Sequence, residues 1–264
     1  MSNKYVLITG AAGFLGGHHC ISCLEMDRPI IIIDIDQIKL KKLKKELLTK
    51  FKDKEIYDFK IDITKEKQII KLKNILYKKK IFVDTIINNA VIDPVPKKSN
   101  DDWSFVNTKQ WHKELDVSLL GSYLIIKHFI KDMCRKKSGS IINIGSDLSV
   151  IAPNQAIYKK TFGNYIKPVT YSVVKHALLG MTKYFASLYG KYNVRVNMLS
   201  PGAIFNKQKK SFNKKFVKEL ENITPMERIG SPNDLKGAIK YLISIDSQFF
   251  TGQNIVVDGG RTII

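Results

Sequence analysis

Tyr171 and Lys175 stand one helical turn apart in Tyr171-Ser172-Val173-Val174-Lys175, and Ser146 lies 25 residues upstream, just after the apolar run Ile141-Ile142-Asn143-Ile144. At spacing i, i+4 a phenol and an ammonium project from one face of a helix. A phenol with an ordinary pKa of about 10 is a poor base at neutral pH, but a fixed cation beside it favours the phenolate. Such a pair could exchange a proton with a hydroxyl or carbonyl oxygen, while a serine hydroxyl holds that oxygen. The spacing also arises by chance in many helices, so its meaning rests on the rest of the chain.

The first apolar run leads into Thr9-Gly10-Ala11-Ala12-Gly13-Phe14-Leu15-Gly16, which opens a helix. Glycines there let the chain turn sharply, so that backbone N–H groups and the positive helix end can meet a pyrophosphate. Gly10, Ala12, Gly13, Phe14, Leu15 and Gly16 are the candidate contacts. The next apolar run ends at Asp34, 18 residues past Gly16, where a carboxylate that receives a ribose 2′-hydroxyl is expected. That favours NAD over NADP, because the carboxylate would repel a 2′-phosphate, although Lys39 and its neighbours soften the contrast. Asp36 competes for the role and reads equally as a helix cap before Gln37. Asp62 could accept from an adenine or cap the helix that follows, with Ile63 beside it. Together with the phenol and the ammonium, these features point to hydride transfer on a bound nicotinamide.

These residues hang on an alternating frame. Short runs rich in Ile and Val recur at 5–9, 30–34, 56–61, 82–88, 140–145, 194–199 and 254–257. They lack the alternation of a one-sided sheet, as expected of parallel strands covered on both faces. Helix-period segments lie between them, at 14–26, 37–50, 65–78, 109–136, 169–192 and 232–245. The order predicts an α/β fold, a single Rossmann-like domain over 1–264, with a doubly wound parallel sheet of about seven strands and helices on both faces. No internal repeat or low-complexity linker interrupts it.

Composition narrows the function classes. A chain of 264 residues with 44% hydrophobic content can bury one large core. No apolar run reaches the ~18 to 20 residues that cross a bilayer, and three cysteines do not make a disulfide framework, so the expected setting is the cytoplasm, with no membrane partner. Cys20 and Cys23 form a C-x-x-C preceded by His18 and His19, but they fall inside the first helix without a second pair, which reads as packing; no metal site is expected. The formal charge of +20 invites nucleic acid or a phosphorylated substrate. The lysines, however, are spread over 39–54, 65–80, 97–98, 135–137, 159–167 and 207–218 with few aromatics between them. That distribution suits a solvated surface and an anionic small substrate, with no specific nucleic-acid partner.

In this order, the motifs resemble those of the short-chain dehydrogenase/reductase family over nearly the whole chain. They are the glycine turn, Asn88-Asn89-Ala90, Gly139 to Ser146, the Tyr171/Lys175 pair, Val194-Arg195-Val196-Asn197, Ser200-Pro201-Gly202 and Thr251 to Gly260. The resemblance implies that Tyr171 is the general acid/base, that Lys175 holds the nicotinamide ribose and lowers the phenol's pKa, and that Ser146 binds the reacting oxygen. It implies that Asn88 and Ala90 line the cofactor groove, although Asn88 could merely pin neighbouring strands, and that the stretch Pro201, Gly202 and Ile204 passes the nicotinamide. It also implies a homotetramer or homodimer. Three departures stand out. Phe14 occupies a place usually held by glycine, Asn206 replaces a threonine, and Ser118 in Ser118-Leu119-Leu120-Gly121 aligns with the family's catalytic asparagine.

The gap from Ser146 to Tyr171 is roughly twice the usual one, with a surplus at about 152–168 that holds Tyr158, Lys159, Lys160, Tyr165 and Lys167. Its ends carry catalytic groups, so it should lie at the substrate mouth, as should a lysine-rich lid at about 206–224. Similar surpluses occur in relatives linked to bacterial surface-sugar and flagellin-modification pathways. The expected substrate is therefore a sugar phosphate or nucleotide sugar, in an NAD-dependent interconversion of alcohol and carbonyl. The rival readings are a redox-neutral epimerase or dehydratase that retains its NAD, and a dinucleotide-binding sensor without catalysis.

Overall fold

The computed structural model describes residues 4–93, 106–207 and 212–264. In chain order its elements are β1 (Lys4–Thr9), α1 (Phe14–Leu24), β2 (Ile30–Asp34), α2 (Gln37–Lys50), β3 (Ile56–Lys60), α3 (Glu66–Lys78), β4 (Phe82–Asn88) and α4 (Thr108–Leu115). There follow α5 (Gly121–Lys136), β5 (Gly139–Ile144), α6 (Gln155–Phe162), α7 (Val169–Tyr189), β6 (Val194–Pro201), α8 (Lys214–Asn222), α9 (Lys236–Ile243) and β7 (Asn254–Val257). The strands form one sheet in the order β3-β2-β1-β4-β5-β6-β7, every neighbour parallel. This is the doubly wound α/β sheet that the alternating pattern predicts.

The strands read as unbroken apolar runs because both of their faces are covered. Side chains alternate along a strand, so Val6 and Ile8 of β1 join Cys20, Cys23, Leu40, Leu47, Ile239 and Leu242 under α1, α2 and α9. Tyr5 and Leu7 of the same strand join Ile69, Leu72, Ile125, Phe129, Met133 and Phe185 under α3, α5 and α7. Cys20 and Cys23 are fully buried free thiols of the first core, and burial raises the pKa of both. Among the described residues no cluster of metal-ligating side chains occurs, and no helix is long and apolar enough to cross a membrane.

Strand order reverses between β1 and β4, and a crevice opens there at the carboxyl ends of the strands. The two ends are stitched together by side chains. The N–H groups of Asn89 and Ala90 both donate to Thr9 Oγ1 at 3.0 Å, and Asn89 Nδ2 donates to the carbonyls of Thr9 and Gly10. Gly10 has a φ of +59°, and a Cβ there would lie 2.7 Å from the Ala90 Cα. Only glycine permits both the left-handed turn and the close strand crossing.

The long helical segment expected at 109–136 is broken. A π-helical turn, Asp116–Leu120, separates α4 from α5. The surplus before Tyr171 folds into α6, and the lid expected at about 206–224 carries α8, with residues 208–211 outside the described residues.

Candidate active site

A cleft of about 770 Å³ runs along the carboxyl ends of the strands, from the glycine turn at one end to α6 and α8 at the other. At the first end α1 starts without a side-chain cap, and the N–H groups of its first turn have no carbonyl ahead of them in the helix. Gly10, Ala12, Gly13, Phe14 and Leu15 all line the cleft here. Gly16 does not; it stands behind the wall, where a Cβ would meet the Gly10 carbonyl at 2.3 Å, so its role is close packing of helix on turn.

Asp34 reaches over this turn from the end of β2. Its carboxylate accepts from Ala12 N–H at 3.0 Å and from Asp36 N–H at 2.9 Å, one bond to each oxygen. Both oxygens keep lone pairs for a further donor. Asp36 is the cap of α2, accepting from Lys39 N–H at 3.0 Å, and its carboxylate also pairs with the Lys39 ammonium at 2.9 Å. Asp62 and Ile63 line the next part of the wall, where one Asp62 oxygen is occupied by the N–H and hydroxyl of Thr64. Backbone donors at a helix start and a carboxylate at the end of the second strand are what the two halves of a dinucleotide require, so the residues fit such a cofactor.

At the middle of the cleft α7 presents Tyr171 and Lys175 together with Ser146, which follows β5. Lys175 is buried and donates to the Ile144 carbonyl at 2.9 Å. Burial pushes its pKa down to about 8; the Asp93 carboxylate opposes that fall and the Lys167 ammonium adds to it. Burial also holds the Tyr171 phenol well above its ordinary pKa, reinforced by the charge of Asp93, while a hydrogen bond with Ser146 pulls the other way. In the protein alone, desolvation is the largest influence on the phenol.

Two lysines flank the phenol ring, and the nearer is not Lys175. Lys175 Nζ lies 5.5 Å from the ring centroid of Tyr171, and Lys167 Nζ lies 3.9 Å from it. Lys167 pairs with Asp93 at 2.7 Å and is held by its backbone, whose N–H and carbonyl both meet the Gln155 side chain. The other insertion residues do not face the cleft as a cationic cluster. Lys159 is exposed and Lys160 pairs with Glu219, while Tyr158 and Tyr165 are buried against Phe216 and Leu220 of α8.

Ser146 Oγ accepts from Leu148 N–H at 3.2 Å and donates to Asp147 Oδ1 at 2.7 Å. Asp147 Oδ2 is in turn held by Arg261 Nη1 at 2.6 Å, a pair in which both side chains are buried. Sequence reasoning missed Asp147, Arg261, Asn89 and Asp93, all of which line the cleft. The first stands next to the candidate serine and could have been found; Arg261 carries no local signal.

Two further expectations do not match the placement. Asn88 does not line the cleft: it is buried and donates to Asn143 Oδ1 at 2.9 Å, pinning β4 to β5, while its neighbour Asn89 takes the wall. Ser118 is buried, accepts through its carbonyl from Ser122 Oγ at 2.7 Å, and does not line the cleft, whereas Val117 does. The π turn adds a residue to the helical repeat and so rotates this segment relative to the α-helical phase. Ala90, Pro201, Gly202 and Ile204 line the cleft as expected, and so does the half-buried to buried pair Tyr171 and Lys175.

Residues 10–262 match the family model described as enoyl-(acyl carrier protein) reductase. The chain belongs to the short-chain dehydrogenase/reductase family. It is 29% identical to the post-translational flagellin modification protein A of Campylobacter coli, with 98% of each chain covered. It is 26% identical to an NAD-dependent glycerol dehydrogenase of Listeria innocua, over 100% of this chain and 95% of the relative. Among solved structures, a short-chain dehydrogenase from Leptospira borgpetersenii with bound NAD+ superimposes with a TM-score of 0.84 at 28% identity, covering 99% of this chain and 94% of the other. The chain is thus a nicotinamide-dinucleotide-dependent short-chain oxidoreductase that acts on small molecules.

Proposed function

We propose that the enzyme is a single-domain, NAD-dependent oxidoreductase that interconverts an alcohol and a carbonyl on a sugar phosphate or nucleotide sugar, in surface-glycan synthesis of the flagellin-modification type. The observation that carries the reaction class is the meeting of Tyr171, Ser146 and Lys175 in one cleft with the uncapped start of α1. The likeness to the Campylobacter coli flagellin modification protein supports the substrate class.

In this reading Gly10, Ala12, Gly13, Phe14 and Leu15 receive the pyrophosphate, Asp34 the adenosine ribose, and Asp62 and Ile63 the adenine. Ala90, Pro201, Gly202 and Ile204 frame the nicotinamide, which when bound supplies or accepts the hydride. Asp34 favours NAD, since a 2′-phosphate would meet its carboxylate. Lys175 binds the second ribose and places its charge beneath the phenol. Ser146 turns its hydroxyl from Asp147 to the reacting oxygen of the substrate, and Tyr171 gives that oxygen a proton on reduction or takes one on oxidation. With its pKa raised, the phenol stays protonated at neutral pH and is ready as an acid. Oxidation should therefore accelerate as pH rises.

Exposed apolar side chains on α5 and α7, Tyr123, Val173, Tyr184 and Leu188, support a homodimer or homotetramer. Free cysteines fit a cytoplasmic setting. The test is NADH formation at a wavelength of roughly 340 nm on a panel of sugar phosphates and nucleotide sugars, with NAD and NADP in parallel. Turnover with NAD and loss of at least ~100-fold in Tyr171→Phe is expected; turnover without net NADH would favour a redox-neutral reaction and reject the proposal.

A further inference from the structure

Two polar atoms at the inner end of the cleft are buried and have no hydrogen-bond partner among the described residues: Arg261 Nη2 and the Tyr165 hydroxyl. Their residues are 6% and 8% exposed. Buried polar groups are almost always satisfied in folded proteins, so each of these two marks a partner that the described residues do not supply. Both residues line the cleft that holds Tyr171.

Their position relative to the reacting groups follows from the hydrogen bonds. Arg261 Nη1 holds Asp147 Oδ2 at 2.6 Å, and Asp147 Oδ1 accepts from Ser146 Oγ at 2.7 Å. The guanidinium is therefore two hydrogen bonds from the hydroxyl that meets the reacting oxygen. Tyr158 lies beside Tyr165, ring centroids 6.0 Å apart, and lines the same cleft as Arg261.

Charge decides what sort of oxygen fits. On this wall Arg261 is matched by Asp147 and Lys167 by Asp93, while the Lys175 ammonium is turned to the Ile144 carbonyl. A phosphate dianion placed beside Arg261 would face the Asp147 carboxylate at close range, and like charges in a buried site repel strongly. A hydroxyl or carbonyl oxygen avoids that repulsion. It can accept from Nη2, and a hydroxyl can also exchange a hydrogen bond with the phenol of Tyr165. The exposed Lys113 on the cleft wall is the better receiver for a charged end.

We propose that Arg261 Nη2 and Tyr165 OH form an inner subsite that recognises an uncharged oxygen, a ring hydroxyl or carbonyl close to the carbon that reacts, and that the charged end of the substrate points away from it. The proposal rests on the oxidoreductase reading and narrows its substrate to one whose reacting end is a neutral, oxygen-rich ring.

Tyr165→Phe is the direct test. It removes one oxygen that bonds to nothing described in the protein, so the Tm should stay equal or rise. The NADH-loaded enzyme is titrated calorimetrically with glycerol, D-glucose, D-gluconate, glucose 6-phosphate and UDP-glucose. The wild type is expected to bind a neutral sugar or UDP-glucose, and Tyr165→Phe to weaken that binding about tenfold, or ~1.4 kcal/mol. Arg261→Lys, which keeps a cation on Asp147 but loses Nη2, should weaken it similarly. Equal binding by wild type and Tyr165→Phe, as when only water fills the subsite, would overturn the proposal; so would failure of every neutral probe to bind, or tightest binding of gluconate. Failure of NADH to bind the wild type, or undiminished turnover in Tyr171→Phe, sinks the oxidoreductase reading itself and is read separately.

Discussion

Lys175 is the residue at which stability and proposed chemistry conflict. Its ammonium is buried with a carbonyl as its hydrogen-bond acceptor among the described residues, and its pKa falls from 10.5 to about 8. The unfolded chain therefore binds more protons than the folded one between those two values. Stability from this group rises with pH across that window, and below it the full cost of burying the charge is present. Lys175→Met should thus raise stability at pH 7 by about 1 to 2 kcal/mol, after the loss of the bond to Ile144, and flatten the rise in Tm above pH 8. It should also abolish turnover. A lower Tm at pH 7 would argue that the ammonium is better compensated than this. At the other end of the cleft, Asp34→Ala is expected to lower the ratio of kcat/KM for NAD to that for NADP at least tenfold, worth ~1.4 kcal/mol. An unchanged ratio would reject the role proposed for that carboxylate.

At the scale of elements, the glycine turn and the insertion make opposite demands. The turn works by closeness. In Gly16→Ala the new methyl would sit 2.3 Å from the Gly10 carbonyl and 2.8 Å from the Ala11 Cα, both backbone atoms that cannot swing aside. The turn must then shift, and NADH affinity should fall at least ~10-fold, measured by quenching or calorimetry; unchanged affinity would mean the turn does not hold the cofactor. The insertion works by packing. Phe216 of α8 lies 5.0 Å from Phe162 and 5.4 Å from Tyr158 of α6, ring centroid to ring centroid, so α6 and α8 share a small aromatic core apart from the two main ones. Phe216→Ala should loosen that satellite without unfolding the sheet: a KM several-fold higher, faster proteolysis at α6 and α8, and a drop of only a few degrees in Tm. A proportional loss of global stability would show that the satellite is part of the main cooperative unit.

For the whole molecule, the positive charge and the apolar patches act separately. The net charge of +20 is spread over exposed lysines, some of them paired with carboxylates, such as Lys127 with Glu66 and Lys160 with Glu219. It raises the concentration of anionic ligands near the surface more than it selects one. Among the exposed apolar side chains, Tyr123 of α5 and Tyr184 and Leu188 of α7 form one patch, the two tyrosine rings resting on Phe185 at the edge of a main core. Light scattering should give a dimer or tetramer of the 30.1 kDa chain, and Tyr184→Glu with Leu188→Glu should shift it toward monomer by placing charges in the interface. A monomeric wild type would discard the oligomer.

The doubly wound sheet and the two ends of the cleft were legible in the chain itself. Unbroken Ile and Val runs between helix-period segments allow few arrangements, and Gly10, Asp34, Ser146, Tyr171 and Lys175 sit at strand ends or on one helical turn, where local conformation alone fixes their direction. The rest depended on neighbours distant in sequence. Asn88 points into the sheet because Asn143 of the adjacent strand meets it, and Ser118 leaves the wall because a π turn rotates its helix. Lys167 turns inward because Asp93 receives it across 74 residues, and Arg261 joins Asp147 across 114. Periodicity tells which face of an element is buried, but the partner of a buried charge is set by where the chain returns, and that only the tertiary structure decides.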